Sequence, residues 1–324
     1  MTARITDFFH SRYAAFAAVA VMIAAAWSAF AAGNPANLPV DPGPALPPAG
    51  CWLPAEFSLW ASIAANIALI GLLVFINRHF NLLRSLSALF VVLFAAMQTA
   101  IPELTSQFYT GTLLAVVLAS CIALMFGSYM MPTQRREVFL VFVLISAGAA
   151  TQLSFAVYIP VMLLCCMQMR VMSWRTLLAA LLGIITPWWL LLGLGIVEPA
   201  QLRIPGTTDI FSIIDFSADP QSAATILLSA GVFTASVLLD FLRTMAYNAR
   251  SRSYNGVIVL TGFVTIAAIA VDFRNAAAYL PALNMCAALQ AAQFFILHRG
   301  ERSWIGISCL IAAYLSLFIW KSFA

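Results

Sequence analysis

Long apolar runs separated by short polar stretches organise this chain. They fall at about 13–32, 57–76, 86–101, 109–131, 138–152, 154–169, 175–196, 222–242, 255–271, 276–297 and 303–320. Most approach the roughly 20 residues that an α-helix needs to cross a bilayer. They are too long for the strands of a membrane barrel and lack its in–out alternation. The pattern predicts an all-α fold, a polytopic transmembrane helical bundle of about 11 segments, built as one integral membrane domain over 1–324. Its first part (1–32) reads as an uncleaved signal-anchor helix. Ala29-Phe30-Ala31 has the small-residue form of a cleavage site, but the apolar run is long for a signal core. A linker (33–54) follows with prolines at 35, 39, 42, 44, 47, 48 and 54, which forbid helix and favour an extended exterior path. The main bundle occupies 55–324.

The runs 138–152 and 154–169 are each short for a span. As one long helix they would put Arg135 and Arg136 on one side and Arg170 and Arg175 on the other. As a hairpin turning near Gln152 and Ser154, either two short spans or a re-entrant loop, they keep all four arginines together. The hairpin agrees with the tendency of basic residues to stay cytoplasmic. With the N-terminus inside, thirteen basic residues lie on the cytoplasmic side, and only Arg203, Arg274 and Lys321 lie outside. The acids lean the other way: Asp41, Glu56, Glu103, Glu198, Asp209, Asp215, Asp219 and Asp272 are exterior. The expected orientation is a cytoplasmic N-terminus and an exterior C-terminus in a bacterial inner membrane.

Composition supports the same class. Hydrophobic residues make up 63% of the 324 positions and charged residues 9%, against about 25% charged in a soluble domain. So few charges cannot cover a water-soluble surface, but they suffice for the two ends of a lipid-embedded bundle. The net charge of +4 is dispersed in ones and twos, which argues against a nucleic-acid partner. Cys121, Cys165, Cys166, Cys286 and Cys309 lie in apolar runs, and only Cys51 lies in a loop, so no disulfide framework is expected.

Certain motifs carry a likeness. Asn77-Arg78-His79-Phe80-Asn81-Leu82-Leu83, Ile101-Pro102-Glu103-Leu104, and Gln152-Leu153-Ser154-Phe155 continuing through Arg175 to Gly183 and Pro187 are three of them. With Tyr279-Leu280-Pro281-Ala282, the chain after about Glu56 resembles a family of multi-spanning bacterial inner-membrane proteins whose shared domain has no assigned activity. A broader likeness, in the order of short hairpin, basic turn and long span, is to multi-spanning glycosyltransferases that use lipid-linked sugars. Those enzymes place a carboxylate in the first exterior loop, where this chain has Asp41 and, at the loop's end, Glu56.

The exterior acids are the main chemical resource. Transfer from a lipid carrier needs a base for the acceptor hydroxyl and often a cation for the pyrophosphate. Candidate catalytic residues are Glu103, Asp41 and Glu56, with Glu103 foremost because it follows Pro102 at the end of a run. Arg203 and Arg274 run against the charge rule and are candidates to clamp a phosphate or carboxylate, with Asp215 beside them as a ligand-binding acid. The stretch 210–216 could form an interfacial helix. Asn66, Gln98, Asn284, Gln290 and Gln293 are intramembrane amides expected to bond neighbouring helices. Asp240 is expected to pair locally with Arg243. No metal-ligand spacing occurs among His10, His79 and His298.

The preferred functional reading is a non-catalytic membrane subunit or scaffold in envelope assembly, with other membrane subunits as partners. The alternative is a glycosyltransferase-like enzyme acting on a lipid-linked glycan or lipid at the outer leaflet. A third is a transporter or flippase, which the lack of a mid-span charge disfavours. The lipid bilayer is a partner in every case. No cofactor is implied, except a divalent cation on the glycosyltransferase reading.

Overall fold

A computed structural model describes residues 8–33, 43–83, 85, 87–131, 133–202, 220–298 and 303–323. Among them are twelve α-helices and no strand. The helices are α1 (Arg12–Ala31), α2 (Ala55–Phe80), α3 (Leu89–Thr99), α4 (Pro102–Ser106), α5 (Thr110–Gly127) and α6 (Arg135–Thr151). The second half has α7 (Tyr158–Gln168), α8 (Trp174–Gly193), α9 (Pro220–Met245), α10 (Ala249–Val271), α11 (Ala276–Leu297) and α12 (Ser303–Phe323). Eight of these, α1, α2, α5 and α8 to α12, are long and apolar enough to cross a membrane. The other expected segments are the shorter α3, α6 and α7. The all-α bundle is as the sequence predicts.

The short helices lean on protein rather than lipid. At 1.5 Å per residue, the 11 residues of α3 reach about 16 Å, roughly half the apolar thickness of a bilayer. Every residue of α3 except Ala96 is buried. The pair α6–α7 is a hairpin. It turns through Gln152–Val157, and Met130 N–H donates to the Met169 carbonyl at 3.1 Å, so the chain enters and leaves at one end. Arg135, Arg136, Arg170 and Arg175 therefore share that end. The described end of the proline-rich linker closes the hairpin's far tip. Ala45 and Leu46 N–H both donate to the Ala150 carbonyl, at 3.1 and 2.9 Å. The last carbonyls of a helix lack intrahelical donors, and here an extended strap supplies them. A side chain at Gly43 would lie 2.1 Å from the Thr151 carbonyl oxygen, so only glycine fits in the strap.

Helix α11 is the centre. From Ala276 to Gln293 only Ala277 escapes full burial. A helix apolar on all sides belongs inside, and its many alanines let α3, α5, α9 and α10 approach closely. Pro281 has no N–H for the Ala277 carbonyl. That carbonyl faces Gly111 at the start of α5, where an added Cβ would stand 2.9 Å away. Around this centre, α1, α8 and α12 carry their apolar side chains outward.

Charges sort to the two ends. Arg12, Arg78, Arg135, Arg136, Arg170, Arg175, Arg243, Arg250 and Arg252 occupy the end where α1 begins, here the basic end. Glu56, Glu103, Glu198 and Asp272 occupy the other, acidic end, with Arg274 and Lys321. Trp27, Trp60, Trp189 and Trp320 are exposed near the acidic ends of their helices. Such a tryptophan belt is typical of a membrane boundary.

Helices α6 and α8 pack through Gly183, whose added Cβ would lie 2.7 Å from the Phe139 carbonyl oxygen and 2.9 Å from Phe142 Cβ. Gly183→Val is expected to destabilise the protein by about 1–3 kcal/mol in detergent unfolding, as overpacking does. Gly193→Val, with open space at the end of the same helix, should stay within about 0.5 kcal/mol.

Candidate functional site

Glu103 lies in the first turn of α4, behind Pro102 at the helix start. Its Oε2 is 3.5 Å from Lys321 Nζ near the end of α12, so an ion pair closes α4 onto the last helix. Glu56 is exposed in the first turn of α2, where a negative charge suits the helix dipole. Two serines tie that part of α2 to the α4 region. Ser62 Oγ donates to the Thr105 carbonyl and Phe108 N–H donates to Ser58 Oγ, each at 2.8 Å. Arg274 is exposed in a short 3-10 turn ahead of α11. Beside it, the Asp272 carboxylate accepts from the Asn275 side chain at 3.0 and 3.2 Å. Among the described residues, Glu56, Glu103 and Arg274 make no ion pair or hydrogen bond with one another. Asp41, Arg203 and Asp215 lie outside the described residues, as does the stretch 210–216.

The most extensive polar construction is inside the bundle. Asn66 Nδ2 donates to the Ser62 carbonyl at 3.0 Å, and Asn66 Oδ1 accepts from Gln98 Nε2 at 3.2 Å. Gln98 Oε1 accepts from Asn284 Nδ2 at 3.2 Å. Asn284 Oδ1 accepts from Ser229 Oγ at 2.8 Å, and Ser229 Oγ lies 3.0 Å from the Tyr314 hydroxyl. One continuous chain of buried groups thus joins α2, α3, α11, α9 and α12. Two further buried bonds link α11 to α10 and α7 to α10: Gln290 Nε2 to Asn255 Oδ1 at 2.7 Å, and Tyr158 to Thr265 at 2.8 Å. The expectation that the amides bond neighbouring helices holds for Asn66, Gln98, Asn284 and Gln290 but not for Gln293, whose Nε2 is buried without a hydrogen-bond partner among the described residues. Ser229 and Tyr314 gave no signal in the sequence, because hydroxyls in apolar runs usually bond their own helix.

The basic end holds two features that the sequence does not display. Asp240, 1% exposed, sits 3.4 Å from His298 Nδ1 across α9 and α11. The expected local partner, Arg243, acts on Asp240 through its charge rather than by a direct hydrogen bond, and its Nη1 donates to the Leu297 carbonyl at 2.8 Å. Nearby, Arg250 Nε donates to the Tyr254 hydroxyl at 2.7 Å, and its guanidinium stands 5.4 Å from the Tyr254 ring centre and 6.0 Å from that of Tyr129. A polar cavity of about 550 Å³ adjoins it, lined by His79, Asn81, Asn248, Arg250 and Ser251 among others. Among the described residues no group of three His, Cys, Asp or Glu side chains gathers to hold a metal ion.

No family model, curated protein or solved structure matches the chain. The fold itself defines its class, a helical membrane protein with many spans.

The buried chain yields a measurable coupling. Gln98→Ala and Asn284→Ala, alone and together, should give a coupling energy of roughly 0.6–1.7 kcal/mol in reversible unfolding, the range for hydrogen bonds between membrane helices. Additive single effects would show that the two amides act independently.

Proposed function

We propose that this chain is a non-catalytic membrane subunit that scaffolds an assembly of the cell envelope. The observation that carries the reading is the use of its polar groups. Glu103, the foremost catalytic candidate, is engaged by Lys321, and the amides from Asn66 to Asn284 are hydrogen-bonded between helices. Such groups give the bundle a fixed shape, which a scaffold needs. A transferase would need an acid aimed at an acceptor, and a carrier would need a polar path. The positive-inside rule supports a cytoplasmic basic end and an exterior C-terminus.

Chemical cross-linking in native membranes, followed by purification of the full chain, tests the reading. A partner recovered in fixed stoichiometry is expected, and a solitary chain would overturn it. Glu103→Gln is expected to leave envelope glycolipids as in the wild type. If it reproduced a glycolipid change seen on deletion of the chain, the enzymatic alternative would replace the scaffold.

Cys51 reports the orientation. It is an exposed free thiol at the acidic end, whereas Cys121, Cys165, Cys166 and Cys286 are buried. In a Cys309→Ser background, a membrane-impermeant maleimide should label intact cells at Cys51. Labelling only after the cytoplasmic face is opened would invert the proposed topology.

A further inference from the structure

At the basic end, α1, α2 and the start of α3 enclose a groove of about 210 Å³. Its two charged lining residues are both arginines: Arg12, the first residue of α1, and Arg78, two residues before the end of α2 at Phe80. Both are exposed, and among the described residues neither guanidinium makes an ion pair or hydrogen bond. From that pair the lining turns apolar along both helices. Ala15 and Val19 follow Arg12 on α1, Val74 and Ile70 recede from Arg78 on α2, and Phe90 and Val91 of α3 form the back. Val19 is seven residues from Arg12 and Ile70 eight from Arg78, so the apolar part extends about 10–12 Å inward. Phe16, which also lines the groove, is 73% exposed, so the groove opens to the side of the bundle that meets lipid.

The polar groups of the floor already have partners. Asn77 accepts from Leu83 N–H at 3.0 Å and donates to the Ser85 carbonyl at 3.1 Å. Ser87 Oγ accepts from Leu89 N–H at 3.1 Å. Those bonds leave the two arginines as the groove's available charged donors. A guanidinium presents a planar fork that matches phosphate oxygens. An apolar slot leading away from two such forks matches a phosphate that carries a hydrocarbon chain.

We infer that this groove is a binding site for an anionic phospholipid of the surrounding bilayer, its phosphate held by Arg12 and Arg78 and one acyl chain lying against Val19, Ile70 and Val74. A soluble phosphate ester would satisfy the arginines and leave the apolar wall uncovered. A zwitterionic lipid would fill the wall but bring its own cation to the arginines. The inference does not depend on the scaffold reading or on which leaflet the basic end faces.

The test uses the full chain, delipidated in detergent and titrated with phosphatidylglycerol, phosphatidylcholine or glycerol phosphate, with bound lipid counted by native mass spectrometry. Phosphatidylglycerol should bind at a saturable site, and the other two only weakly. Arg12→Gln with Arg78→Gln should weaken phosphatidylglycerol binding on the order of 30-fold at low salt, from two basic contacts with an anionic lipid. Arg136→Gln with Arg175→Gln, which removes two arginines of the same end outside the groove, should leave that site intact. An equal loss in this control would reduce the effect to general charge and overturn the inference. Ala15→Phe fills the slot and keeps both arginines, and is expected to lose the site too. Unchanged binding there, or equal binding of glycerol phosphate, would also overturn it. Thermal unfolding of each variant without lipid separates loss of the site from loss of the fold.

Discussion

Amide side chains inside an apolar bundle must find partners, and the architecture turns on how Asn284 finds its own. Unpaired, a buried amide costs several kcal/mol in hydrocarbon. Asn284 lies in the most enclosed helix, where no water or lipid headgroup can serve it. Its two ends are answered by Gln98 of α3 and Ser229 of α9. Each answer then requires another, until the series reaches α2 on one side and α12 on the other. Apolar packing alone would let these helices rotate and slide, because lipid tails are as apolar as the side chains they replace. The hydrogen bonds fix the register of five helices at one depth. They also explain why α3 can be so short: it is held by neighbours, with every residue but Ala96 buried.

The ends of the bundle follow a different rule. Charge there is sparse, so each acid with a neighbour in reach becomes a fastening. Glu103 and Lys321 join an early element to the last helix, and at the opposite end Asp240 of α9 stands 3.4 Å from His298 Nδ1 beside the end of α11. The proline-rich linker serves the same purpose without charge, since its backbone N–H groups cap the α6–α7 hairpin. Fastenings of this kind leave few polar groups pointing at empty space. The groove between Arg12 and Arg78 departs from this rule, since both guanidiniums there face open space beside an apolar wall.

Much of this fold was legible in the sequence, for reasons of length and solvent. Apolar runs report spans directly, because hydrocarbon tolerates no exposed backbone. The hairpin was legible because a single crossing would have split Arg135 and Arg136 from Arg170 and Arg175. The amides were legible as glue but not in their pairings. Gln98 and Asn284 are 186 residues apart, and no local periodicity encodes such a distance. The same holds for the candidate site. Glu103 stood out by its position after Pro102, yet its partner lies near the other end of the chain. Asp240 and Arg243 were legible as charged neighbours on one helix, whereas His298, which approaches Asp240 from the end of α11, was not.

The shortness of α3 also bears on how the protein is made. An 11-residue segment with Gln98 near its end is a poor independent span, and although its amide N–H can reach Asn66 of α2, its amide oxygen stays unanswered until Asn284 exists. At about 5–20 residues per second, the intervening 186 residues take roughly 10–40 s to synthesise. Over that interval α3 must be sheltered by α1 and α2 or by the insertion machinery. The bundle then closes around α11 late, when most of its spans have already entered the membrane.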